Sequence, residues 1–245
     1  MHRLLTAALA ALALATPAPA AAHEAGGHRL PDAEIFATNN TAVITDPGDP
    51  RLRVTLTGFA REVERIVRRG GGTPRGSELL DGVFFSSGLG TTTFERSREF
   101  DVDDVTDEEL HAIADTVRSR FGQESVLTFD YLPPGDAGIN GVELEVPGVT
   151  AQALRDGLLA DTTARERLFG GSVTLDGHLL LVADLADVQL ARTFAERIGG
   201  DPRREVTRYG RREFVEAPAP VAAWSYPSSP GSGGFGSTGR TVELT

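Results

Sequence analysis

From Thr93 to Val102 the chain reads TFERSREFDV and alternates in character with a period of two. That period belongs to a β-strand, whose successive side chains point to opposite faces. Phe94, Arg96, Arg98, Phe100 and Val102 therefore share one face, and Thr93, Glu95, Ser97, Glu99 and Asp101 share the other. The pattern returns where Val142, Leu144 and Val146 alternate with Glu143 and Glu145. A strand with one apolar and one charged face belongs in an antiparallel sheet packed on one side and wet on the other. The carboxylates are therefore expected to face water.

Helical stripes separate the strand segments. Phe59, Val63, Ile66 and Val67 follow the helical period, as do Leu110, Ile113, Ala114, Val117 and Phe121. Thr106 and Glu109 have the spacing of a capping box at the start of the second stripe. Residues 150–160 and 162–169 read as helical, and Val188, Ala191, Ala195 and Ile198 line one more helix. Strands are expected at 35–37, 42–44, 83–86, 93–102, 126–131, 142–146 and 173–183, with one or two more in 204–215. Within 93–183 the order is β-α-β-β-α-β, the split arrangement of a ferredoxin-like sandwich. The fold expected is α+β: a mixed, largely antiparallel sheet with helices packed on one face.

The ends of the chain narrow that domain. Residues 1–22 carry Arg3, then an apolar run, then small residues at Ala18-Pro19-Ala20 and Ala20-Ala21-Ala22. That is the composition of a secretory signal peptide, and the run is too short to cross a bilayer. Residues 23–34 read as a flexible lead, 35–216 as one globular domain, and 217–245, rich in Pro, Gly and Ser, as a disordered tail. The formal charge of −11 argues against a nucleic-acid partner, because neutralising phosphates needs a basic face. Every basic side chain is arginine, and there is no cysteine, so an exported chain of this kind depends on its core rather than on disulfides.

Candidate sites follow from the same strand. Arg96 and Arg98 lie between apolar residues on the face that should meet the core. A buried guanidinium needs a counter-charge, so the pair marks an anion-binding site, unless acids on the neighbouring strand already hold it. A serine-histidine site would use Ser86 or Ser87 at a strand end with His111 as base and Asp115, one helical turn on, as its orienter. No G-x-S-x-G elbow surrounds either serine. His23 and His28 are the candidate metal ligands, but they are five apart rather than the four of H-E-x-x-H. The acids of 101–109 lack the glycine of a calcium loop, and helix capping accounts for them better.

The sequence implies no cofactor and no membrane span. It points to a secreted, non-catalytic binding or interaction protein for an unidentified extracellular ligand or protein, with an anionic small molecule as the candidate ligand. The alternative is an extracellular hydrolase whose serine, histidine and aspartate meet across loops.

Overall fold

The computed structural model describes residues 30–217, all but Leu30 of them in the unit that begins at Pro31. The expected leader, His23 and His28, and the tail beyond 217 lie outside the described residues.

Among the described residues, thirteen strands and α-helices follow one another: β1 (Ala33–Ala37), α1 (Thr57–Arg69), β2 (Thr73–Ser86), β3 (Thr91–Asp103), α2 (Asp107–Phe121), β4 (Ser125–Tyr131), β5 (Gly141–Pro147), α3 (Ala151–Ala160), α4 (Thr162–Arg167), β6 (Gly170–Thr174), β7 (His178–Asp184), α5 (Val188–Arg197) and β8 (Val206–Glu216). Local chemistry sets several boundaries. The Thr106 hydroxyl accepts from the Glu109 amide, the Glu109 carboxylate accepts from the Thr106 amide, and Gly122 closes α2 in the left-handed region at φ 65°. The β2–β3 hairpin turns through 87–90, where Gly90 takes φ 65°.

The strands close on themselves. They form one eight-stranded barrel in the order β1-β3-β2-β6-β7-β5-β8-β4, with β4 returning to β1. Every pairing is antiparallel. The barrel has two halves of like connectivity, β4-β1-β3-β2 and β8-β5-β7-β6, joined where β2 meets β6 and where β4 meets β8.

This corrects the α+β expectation. The order β-α-β-β-α-β was framed from β3, but β3 pairs with β1 and β2, and β4 pairs with β1 and β8. Neither bonds to β5, β6 or β7, so 93–183 is not a ferredoxin-like sheet. The strand that precedes β3 is hard to read from sequence because the opening of β2, from Thr73 to Leu80, lacks a clear apolar alternation. The segment 42–44 is not a strand either, although the Ile44 carbonyl accepts from the Phe94 amide at 2.8 Å.

Two hydrophobic clusters cover the outer wall. The first joins α1 and α2 to Ile35, Phe100 and Val102, with Phe59 edge-on to Phe100 at 5.7 Å. The second joins α3, α4 and α5 to Val142, Leu144, Val146, Leu179 and Leu181. Since these residues face the helices, the pleat turns the alternate set into the lumen. Glu34, Glu95, Ser97, Glu99, Asp101, Glu143 and Glu145 therefore point inward.

Closure needs close backbone approach at Gly210, which pairs with Tyr131 on one side and Gly141 on the other. A Cβ there would lie 2.2 Å from the Asp130 carbonyl oxygen. Gly210→Ala should lower stability by about 1–3 kcal/mol through forced backbone displacement, read as a fall in the urea midpoint. An unchanged midpoint would mean that this seam is looser than described.

Candidate functional site

At the end of the barrel that carries the β2–β3 hairpin, the lumen opens into a cavity of about 790 Å³. Its rim is apolar: Leu89, Phe169 and Phe214 are half or more exposed and Phe84 about a third. Phe169 is held at φ 60°, an unusual conformation for an aromatic residue, and its carbonyl accepts from the Phe85 amide at 2.7 Å. Deeper in, Phe36, Leu127, Leu180 and Val182 alternate with Thr93, Glu95, Ser97 and Ser172. The wall's guanidinium, Arg212, is paired with Asp184 at 2.9 Å and lies over the Phe214 ring.

Glu95 is the chemically distinctive group. Burial pushes its carboxyl up to about 7, only partly offset by a hydrogen bond from Ser97. The register places Glu95 opposite Gly82 on β2, where the Phe84 ring takes up the space that a Cβ would fill. A carboxyl in this position accepts or releases a proton near neutrality.

Toward the other end, the lumen holds a denser polar network. The Tyr131 hydroxyl donates to Glu34, and it lies 2.8 Å from the Glu143 carboxylate. Burial, reinforced by the carboxylates of Glu143 and Glu34, pushes that hydroxyl far above its usual range, so it stays protonated. Arg208 bonds both Glu143 and Glu145, and His178 Nδ1 lies 2.7 Å from Glu145. Burial is the largest single influence on Arg208 and opposes its charge, but its acidic neighbours, Glu143 first, together outweigh it and keep the guanidinium charged. Glu34 and Glu99 are raised well above the ordinary carboxylate range, first by burial and then by the charge of Glu143. One carboxylate oxygen each from Glu34, Glu99 and Asp101 fall within 4.8 Å of one another, a spacing that could hold a metal ion.

The residues singled out in the sequence lie elsewhere. Arg96 and Arg98 do sit on the helix-facing side of β3. Arg96 pairs with Asp81, its register partner on β2, and donates from Nε to the Val54 carbonyl at 3.1 Å. Arg98 donates to Ser77 Oγ at 2.7 Å and to the Thr55 carbonyl at 3.2 Å. Together they fasten the segment entering α1, where Leu56 takes φ 54°. Neither lines the cavity.

Ser86 lies at the cavity rim, where its hydroxyl accepts from the Leu89 amide, and Ser87 follows in the hairpin turn. His111 lines a separate cleft of about 480 Å³ between α2 and β8, with Nδ1 2.9 Å from Glu213. Asp115 is engaged by Arg118 at 2.7 Å rather than by His111. The serine–histidine–aspartate set is therefore not assembled.

What sequence reasoning missed is the lumen. Glu95, Glu99, Asp101, Glu143 and Glu145 were all legible as one polar face, but an open sheet and a closed barrel write the same alternation.

No protein-family model matches the chain, and no curated protein matches it. Among solved structures, a crystal structure of a Fusobacterium nucleatum protein named "Putative monooxygenase" is similar over 76% of this chain and 94% of that one, at 10% identity and a TM-score of 0.25. A likeness at that level carries no argument about fold or activity. Among the described residues, no helix is long and apolar enough to cross a membrane.

The raised Glu95 carboxyl makes a stability prediction. Its pKa is about 7 when folded against an ordinary 4.5. The folded state therefore binds the proton more tightly, and stability falls as pH rises through that window. Glu95→Gln removes this loss. Its stability relative to wild type should improve on the order of 3 kcal/mol between pH 4.5 and 7, read from urea midpoints. A difference that does not vary with pH would place the carboxyl in water.

Proposed function

We propose that this chain binds a small molecule with an apolar body and a hydrogen-bond-donating or cationic head. The apolar body would occupy the hairpin end of the barrel and the head would meet Glu95. The observation that carries this reading is the cavity itself: its volume of about 790 Å³ falls in the range of small-molecule sites, and its lining carries, besides Glu124 and Glu216 and its apolar side chains, the Glu95 carboxyl, which titrates near neutrality. The acids of the lumen repel an anionic ligand, and Arg96 and Arg98 lie outside the cavity, donating to Asp81, Ser77 and the carbonyls of Val54 and Thr55. The composition of residues 1–22 supports action outside the cytoplasm.

One observation favours a second reading. A carboxyl with a pKa of about 7 is also a competent proton acceptor at neutral pH, so an enzyme that abstracts a proton at Glu95 fits the same cavity.

Competition separates the ligand classes. A neutral solvatochromic dye should enter the cavity and be displaced by a long-chain alkylamine, but not by the matching alkyl carboxylate. Glu95→Gln should weaken the amine about tenfold or more, as loss of a charge-assisted hydrogen bond requires, while leaving dye affinity nearly unchanged. Stronger displacement by the carboxylate would overturn the reading.

A further inference from the structure

The structure assigns a second site within the lumen: we infer that Glu34, Glu99 and Asp101 hold a hard divalent cation of the Ca²⁺, Mg²⁺ or Mn²⁺ class. The placement follows from register. Glu34 on β1 pairs with Asp101 on β3, and Glu99 lies two residues along β3 on the same inward face. One carboxylate oxygen from each lies within 4.8 Å of the others. Oxygen-only ligand sets select hard cations.

An independent observation points to a ligand. Glu34 is 3% exposed, and while one of its oxygens takes the Tyr131 hydroxyl, the other, Oε2, has no hydrogen-bond partner. Oε2 of Glu99 is likewise buried and without a partner. Buried acceptors left unmatched are costly, and a cation would match both at once. The neighbouring protein cation does not serve them. Arg208 bonds Glu143 and Glu145, and Arg75 bonds Asp103 at 2.7 Å. Asp101 is only partly buried, which leaves a route from that end of the barrel. The competing arrangement is a pair of protonated carboxyls that satisfy one another without metal, in keeping with the raised pKa values of Glu34 and Glu99.

Calorimetric titration of the full chain with CaCl₂, MgCl₂ and MnCl₂ at about pH 8, in buffers of differing ionisation enthalpy, decides between them. Binding of at least one cation at millimolar concentration or tighter is expected, with proton release and a raised Tm. Glu34→Gln and Glu99→Gln should fold, since each replaces a buried carboxyl with a neutral group of the same shape. Each should weaken that binding at least tenfold and abolish the metal-dependent rise in Tm. Glu196→Gln, on the exposed face of α5, should leave both intact. The inference is overturned if no cation produces heat or raises Tm up to about 10 mM, or if the two lumen variants respond as wild type does.

Discussion

Every feature of this protein depends on the closure of its sheet. An open antiparallel sheet leaves two edges with unpaired amides and carbonyls, and full closure removes them. Here β4 returns to β1, and the two halves meet at β2–β6 and β4–β8. Closure also assigns the faces. The apolar set turns out to the helices, which cover it in two clusters, and the polar set turns in. The interior is then divided between an apolar-rimmed cavity at the hairpin end and a carboxylate network toward the other.

An acid-rich interior has to be neutralised from within, and the structure does this in three ways. Arg208 supplies a fixed charge to Glu143 and Glu145. Tyr131 supplies a hydroxyl between Glu34 and Glu143. The rest falls to protons, or to a cation at Glu34, Glu99 and Asp101. Glu95 stands apart from that network, with Ser97 as its hydrogen-bond donor. Those different surroundings leave one lumen with a neutral-pH acceptor at one end and a candidate cation site toward the other.

Much of the local structure was legible from the sequence. The capping box at Thr106 and Glu109 starts α2 as the spacing requires, and the pleat of β3 places Arg96 and Arg98 toward the helices. What the sequence could not show was the partner of each strand. Period-two alternation states which residues share a face, but not whether the polar face meets bulk water or the other side of its own sheet. Alternation alone therefore sends the acids of β3 and β5 to solvent, whereas closure turns them into the lumen. The arginines attracted attention because they interrupt an apolar face, yet their partners, Asp81 and the carbonyls of Val54 and Thr55, come from other segments. Glu34 carried no signal alone, since its role depends on β1 lying beside β3.

Amide hydrogen exchange tests closure most directly. Leu80–Phe84 of β2 pair with both β3 and β6, and Leu127–Asp130 of β4 lie within the ladders to β8 and, through Leu127–Asp130, β1. In a closed barrel every amide of these two segments is bonded to one neighbour or the other, so all should exchange slowly. Alternate amides exchanging at unprotected rates in either segment would reveal a free edge. The lumen, and the sites placed in it, would then not exist as described.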